Sequence, residues 1–354
     1  MHLIGSPIRW TYGANHGPSD DRVSPETEAP PFTFGKENPV IDSYGRNINK
    51  LRVSVSEICN MACTYCVSSL RDHRIAPDQL HPDELLCLVR LLHEHAGIEK
   101  VRITGGEPLL YPDLVAFVAG IADSGIQSIG LTTNGLTLQK LAQPLREAGL
   151  SSLNVSLDSL DPENFRKLGR VGRVDRVLRG IDSALEAGLR IKLNMVVMRG
   201  QNEHEVVDLL DYGVTHGIEV RYLELMRMGP LYQSDEFPLF SMQEILDKIG
   251  ERYSYTPAEA EADSTSQRFR VPGGFFGIIP NESAPFCSTC SRLRLTSNGH
   301  LVGCLSNPTE TPIRDLLDHL NAGVELQARV VESVAYKQSV AFTGSGLSMS
   351  RIGG

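Results

Sequence analysis

Three thiols stand within eight residues, at Cys59, Cys63 and Cys66, spaced C-x3-C-x2-C directly after the alternating run Leu51-Arg52-Val53-Ser54-Val55. A cubane iron–sulfur cluster takes four cysteinates. Three on one loop can hold three irons and leave the fourth open, and an open metal position marks chemistry rather than structure. A zinc knuckle or part of a disulfide framework would draw on the same residue type. Zinc sites, however, come as paired C-x2-C elements, and one triplet on a single loop completes no tetrahedron. A second triplet, Cys287, Cys290 and Cys304, is spaced C-x2-C-x13-C. It reads as a second cluster with its own open iron, against a zinc site short of one ligand. Between its thiols lies Ser291-Arg292-Leu293-Arg294-Leu295, where alternation puts both guanidinium groups on one face of an extended segment. Guanidinium forks suit phosphate and carboxylate; two arginines on a strand are otherwise a solvated face.

Other candidates are weaker alone. Gly105-Gly106-Glu107-Pro108 follows a strand-like run, so its glycines would let a ligand approach the backbone and its carboxylate could meet an ammonium group. Thr132-Thr133-Asn134-Gly135 and Ser156-Leu157-Asp158-Ser159 end the next strand-like runs, as ligand-binding hydroxyls or as turn-forming caps. Cys87, within Leu85-Leu86-Cys87-Leu88-Val89, reads as a small buried hydrophobe. The histidines are scattered without ligand spacing. The stretch Ser348-Met349-Ser350-Arg351-Ile352-Gly353-Gly354 ends in two residues without side chains, a thin segment able to thread into a pocket, or simply a frayed one.

These residues need a scaffold, and the pattern supplies one. Strand-like runs over 51–55, 100–104, 128–133, 153–157, 190–197 and 220–226 alternate with helical spacing over 81–96, 111–124, 138–148, 176–187 and 206–216. Six βα units in series predict a parallel sheet with right-handed crossovers. Curled, this is an incomplete (β/α)6 barrel of TIM-like type, with its polar and glycine motifs at the C-terminal strand ends where such barrels build their sites. Three regions follow: an irregular, proline-rich extension over 1–45, the partial barrel over 46–228, and a β-rich region over 229–354 that caps the opening and carries the second cysteine group. With 41% hydrophobic and 22% charged residues, the composition is that of a globular protein. The front end lacks a signal peptide's apolar core, and no apolar run approaches the roughly 20 residues of a membrane span. Seven cysteines in such a chain favour metal ligation in the cytoplasm over disulfides. A net charge of −9 gives no support to nucleic-acid binding, so an anionic ligand would need a local basic pocket.

The first triplet resembles that of the radical S-adenosylmethionine (SAM) superfamily, whose unique iron chelates SAM and whose aromatic before the third cysteine, here Tyr65, lies near the adenine. The two triplets, Arg292-Leu293-Arg294 and Gly353-Gly354 together resemble the GTP 3′,8-cyclase family of molybdenum cofactor biosynthesis, from about residue 43 onward. The resemblance implies a radical SAM barrel with a C-terminal extension carrying a second cluster, two 4Fe–4S clusters and SAM as cofactors, and GTP as substrate. A 5′-deoxyadenosyl radical would abstract hydrogen from C3′ of the ribose, and the carbon radical would attack C8 of guanine to give (8S)-3′,8-cyclo-7,8-dihydroguanosine 5′-triphosphate.

Carried over residue by residue, Cys59, Cys63 and Cys66 would hold the SAM cluster, and Cys287, Cys290 and Cys304 the second. Tyr65, Gly105, Gly106, Glu107, Ser156, Asn194 and Met226 would line SAM. Arg52, Lys100, Arg102, Thr133, Lys192, Arg221, Arg292 and Arg294 would surround GTP, and Arg52, Gly353 and Gly354 would serve turnover. The implied partners are a flavodoxin- or ferredoxin-like reductant and a downstream cyclic pyranopterin monophosphate synthase, in an arrangement compatible with a homodimer. Two positions depart from the family pattern: Val67-Ser68 follows the third cysteine, and Met226-Arg227 stands where the family has Met-Pro. The alternatives are a two-cluster relative acting on another nucleotide, small molecule or peptide, and a non-catalytic iron–sulfur protein that binds GTP.

Overall fold

The computed structural model describes residues 39–67, 69, 78–260, 264–319 and 321–353. Most of the proline-rich extension, Ser68 and Gly354 therefore lie outside the described residues. Where the description begins, Asp42 accepts hydrogen bonds from the backbone nitrogens of Tyr44 and Arg46 and ion-pairs with Arg46 at 2.6 Å, a tight turn stapled by one buried carboxylate.

Six strands form the centre of the sheet: β1 (Lys50–Ser54), β2 (Lys100–Thr104), β3 (Ser128–Thr133), β4 (Ser152–Ser156), β5 (Arg190–Val197) and β6 (Glu219–Glu224). They are mutually parallel and adjacent in chain order. The crossovers carry α1 (Pro82–Ala96), α2 (Leu114–Asp123), α3 (Ala142–Glu147), α4 (Pro162–Gly169), α5 (Val174–Glu186) and α6 (Val206–His216). Val53, Ile103, Leu131, Leu153, Leu193 and Val220 supply the buried strand faces, and Leu85, Leu88, Val89 and Leu92 of α1 pack on them.

Two local features differ from the periodicity reading. The helix expected over 138–148 is a 3-10 turn at Leu138–Lys140 followed by the short α3, because Pro144 has no N–H for a continuous helical ladder. The helix α4 had no expectation at all. Its eight residues are too few to display a period, but Asp161-Pro162 starts it: the Asp161 carboxylate accepts from the nitrogens of Glu163 and Asn164, and proline sits at the first helical position.

The later residues form α7 (Met242–Gly250), the strands β7 (Thr256–Ala258), β8 (Gln267–Val271), β9 (Gly274–Ile279), β10 (Arg292–Leu295), β11 (His300–Val302) and β12 (Thr311–Pro312), and the helices α8 (Ala322–Ala335) and α9 (Met349–Ile352). They are rich in strand, but these strands lengthen the wall instead of capping it. β9 pairs parallel with β6 and β10 parallel with β1, so the order runs β12-β11-β10-β1-β2-β3-β4-β5-β6-β9-β8-β7. Eight consecutive strands are parallel, their C-terminal ends facing one way, and β12 and β7 leave the sheet open.

Candidate active site

All six cysteines of the two triplets line one cavity at the C-terminal ends of the parallel strands. The first triplet occupies the loop after β1, which is pinned to the C-terminal end of α4 by bonds from the Ala62 nitrogen to Gly169 O and the Thr64 nitrogen to Leu168 O, both 3.0 Å. Below it run Gly105 and Gly106. A Cβ on Gly105 would lie 2.4 Å from Ser56 O, and one on Gly106 would lie 2.3 Å from Ile58 O, so only glycine lets the two loops touch. The second triplet joins the 3-10 turn Cys287–Thr289, the residue two before β10, and the residue two beyond β11. All these thiols are free, and no three His, Cys, Asp or Glu side chains among the described residues converge on a single ion. A cubane instead offers each cysteine its own iron.

Donors already point at the sulfurs, as ligating thiolates require. The Met61 nitrogen donates to Cys59 Sγ at 3.4 Å, Asn134 Nδ2 approaches the same sulfur at 3.8 Å, and Lys337 Nζ donates to Cys290 Sγ at 3.2 Å. Burial raises the thiols of the first triplet, Cys59 to about 11 and Cys66 to about 12, and Glu107 and Asp158 add to the effect at Cys59 and Cys63 respectively. Such thiols ionise when a cluster supplies positive charge. At Cys290 burial also disfavours the thiolate, but Arg292 and Lys337 outweigh it and bring the pKa down to about 6.

On the side of the first triplet, Tyr65 donates to Asp158 at 2.8 Å, and the other oxygen of Asp158 accepts from the Val196 nitrogen. Glu107 is buried and lifted to about 7 by that burial. Its carboxylate accepts from the nitrogens of Leu109 and Asn134 and from the Thr133 hydroxyl. Glu107 thus braces the glycine turn, and Thr133 is its partner. Ser156 and Asn194 are register neighbours on β4 and β5, and Asn194 Oδ1 is buried without a hydrogen-bond partner. Met226 completes the lining with Gly105, Gly106 and Tyr65.

Parallel register builds the basic face. Arg294, Arg52 and Arg102 stand side by side on β10, β1 and β2. Arg52 is lowered well below its ordinary value by burial and then by Arg294, Arg292 and Arg102; Arg294 falls to about 10 by burial and Arg292. Arg294 Nε is buried with no partner. Such a row of buried like charges would be stabilised by an anion. Arg52, Thr133, Arg221, Arg292 and Arg294 line the cavity, whereas Lys100, Arg102 and Lys192 lie outside the lining, and Arg102, level with Arg52, donates to Leu131 O at 3.3 Å. Arg102 reaches about 10 through burial and Arg221. Glu219 gathers Lys192 at 3.5 Å, Arg221 at 3.1 Å and Arg268 at 2.9 Å, a neutralising hub that the sequence did not single out.

Gly353 is buried at φ +76°, and a Cβ there would lie 2.2 Å from Thr104 Cγ2, at the cavity edge. Ile352 is buried beside Met228 and Val302, and Arg351 pairs with Glu310 at 2.6 Å. Cys87 sits away from the site on α1, only half-buried because α1 turns that face outward. Sequence reasoning also missed Arg46, which donates to Cys287 O at 2.5 Å and Gln338 O at 2.7 Å, and Lys337, an isolated lysine with no local motif.

A parallel α/β wall with a three-cysteine loop at its strand ends defines a radical SAM protein, and residues 53–213 match the radical SAM superfamily while 218–342 match the molybdenum cofactor synthesis C family. SuiB of Streptococcus suis bound to its precursor peptide SuiA shares the fold at a TM-score of 0.59 and 17% identity, over 83% of this chain and 69% of that one. Among curated relatives, GTP 3′,8-cyclase of Synechocystis is 40% identical over 75% of this chain and 81% of its own, and that of Corynebacterium glutamicum 39% identical over 78% of each. The chain belongs to the GTP 3′,8-cyclase family. Molybdenum cofactor biosynthesis protein moc-5 of Caenorhabditis elegans is 37% identical over 85% of this chain and 51% of its own.

Proposed function

We propose that this chain is a lyase that converts GTP to (8S)-3′,8-cyclo-7,8-dihydroguanosine 5′-triphosphate in molybdenum cofactor biosynthesis. The observation that carries the reading is the single cavity lined by both cysteine triplets with the Arg52, Arg292 and Arg294 face between their strands. Two 4Fe–4S clusters, held by Cys59, Cys63 and Cys66 and by Cys287, Cys290 and Cys304, supply with SAM the one-electron chemistry. Residues 46–228 provide the SAM side, and residues 229–354 the second cluster and the tail.

Each residue then has a task. Gly105 and Gly106 open the backbone to the methionine end of SAM, Glu107 holds that turn, and Tyr65, Ser156, Asn194 and Met226 wall the nucleoside. Arg52, Arg221, Arg292 and Arg294 neutralise the triphosphate, with Thr133 at the ribose side and Lys100, Arg102 and Lys192 backing them from deeper in the barrel. Gly353 and Gly354 close the substrate side and exclude water. A flavodoxin- or ferredoxin-like protein supplies electrons, and a cyclic pyranopterin monophosphate synthase consumes the product, in the cytoplasm, with a homodimer compatible with the open sheet. Among the described residues no helix is long and apolar enough to cross a membrane.

Anaerobic incubation of reconstituted protein with SAM, a reductant and GTP, followed by mass analysis, tests this. The expected result is 5′-deoxyadenosine together with the cyclised nucleotide. SAM cleavage with unaltered GTP would reassign the substrate, and neither product would leave only a GTP-binding iron–sulfur protein.

A further inference from the structure

Lys337 follows the end of α8 and is 3% exposed. A lysine ammonium has three donors and no acceptor. Here all three are placed: Arg292 O at 2.9 Å, Gly303 O at 3.2 Å and Cys290 Sγ at 3.2 Å. The two carbonyls belong to the strand just after Cys290 and to the residue just before Cys304. Lys337 therefore ties two cysteine segments of the second triplet to one point. The neighbouring residue does the same for the third, since Arg46 bridges Gln338 O and Cys287 O. Close packing backs the arrangement: a Cβ on Gly303 would lie 2.0 Å from Ser333 O on α8, so the helix end rests directly on the Cys304 segment.

The charges facing Lys337 are the sulfurs of Cys290 and Cys304, which favour the ammonium, and Arg46, which opposes it. None of the ion pairs among the described residues gives it a carboxylate. A buried ammonium whose facing anions are thiolates is a partner for the metal-ligand set rather than for a salt bridge.

We propose that Lys337 is a positioning residue of the second cluster: its ammonium donates a charge-assisted hydrogen bond to Cys290 Sγ and thereby raises that cluster's reduction potential. Hydrogen bonds to ligating sulfurs favour the more negative, reduced state. The inference rests on the two-cluster reading above, and its test separates the two.

Full-length protein is reconstituted anaerobically, its iron and sulfide are counted, and the potential of the cluster whose spectrum responds to GTP is measured by an EPR-monitored redox titration. Wild-type protein should carry about eight iron per chain; about four would overturn the two-cluster reading itself. In Lys337→Met the iron count should stay at the wild-type level while the potential moves negative, with the reduced-to-oxidised ratio at the wild-type midpoint falling about tenfold, the effect of one charge-assisted hydrogen bond. Lys337→Arg, which keeps a cationic donor, should recover most of that shift. Wild-type iron with an unmoved potential in Lys337→Met overturns the proposal. If Lys337→Met sheds the second cluster, Lys337→Arg decides: iron retained with a near-wild-type potential supports the donor role, and iron lost from both makes Lys337 a packing residue only.

Discussion

Around Cys59 and Cys63 the charged neighbours are the carboxylates of Glu107 and Asp158, whereas around Cys287 and Cys290 they are Arg46, Arg292 and Lys337. Both triplets open on the same cavity and offer the same three sulfurs. Their surroundings nevertheless differ in the sign of the nearest side-chain charges. On the function proposed above, SAM, with a net positive charge from its ammonium, sulfonium and carboxylate, would meet the acidic side, and a triphosphate the side where Arg52, Arg292 and Arg294 line the cavity. The net charge of −9 averages over this difference and conceals it. In that reading the cysteines would set where one-electron chemistry happens, and the charges around them would set which molecule meets which iron.

The largest test of that asymmetry removes one side of it. Replacing Cys287, Cys290 and Cys304 together by Ala should halve the iron from about eight to about four per chain and abolish the cyclised product, while 5′-deoxyadenosine is still formed. Zinc at the second triplet of anaerobically prepared protein would break the comparison outright.

Deleting Gly353 and Gly354 leaves both charge environments alone and takes away only the segment packed on Thr104. Iron content and GTP affinity should match wild type, and cyclised product should vanish; a peptide ending Ser350-Arg351-Ile352-Gly353-Gly354 supplied in trans should restore part of it. Cyclisation at the full-length rate by the truncated protein would make the segment an ordinary end.

The smallest effects come from paired single substitutions, read by isothermal titration with both ligands. Arg294→Ala should weaken GTP by roughly 1.5–3 kcal/mol, about 10- to 150-fold, with SAM unchanged. Glu107→Gln should do the reverse by about tenfold, because one accepting oxygen becomes an amide NH2 that faces either the Asn134 or the Leu109 nitrogen and loosens the glycine turn. Equal losses of both ligands in either variant would mean a general folding defect and erase the distinction between the sides.

Much of this was legible because the informative residues are local. The cysteine spacings, the glycine turn and the strand–helix rhythm each lie within a short window, and the structure brings all six cysteines to one cavity. Arg292 and Arg294 alternate, and β10 duly puts both on the cavity side. What was hidden depends on register and distance in the chain. That Arg294, Arg52 and Arg102 form one row follows from β10 pairing with β1, which no local pattern in either strand announces. Lys337 and Arg46 have unremarkable neighbours in sequence, and their role exists only once α8 and the first turn reach the second triplet. That Glu107 also braces the glycine turn, through bonds from Leu109, Thr133 and Asn134, likewise needed the fold to be seen.

The placement of β9 and β10 also bears on how the chain acquires its shape. The six central strands can pair in the order in which they are made, but both flanks, β1 and β6, wait for partners encoded in the last third of the sequence. Such distant pairing raises contact order and slows folding, and until it happens two unpaired strand edges invite intermolecular pairing. A fragment covering residues 46–228 would therefore carry the first triplet and yet expose both flanks, so aggregation rather than a one-cluster enzyme is its natural fate. Pairing β10 with β1 covers one of those edges and, in the same stretch, brings Cys290, Arg292 and Arg294 to the cavity.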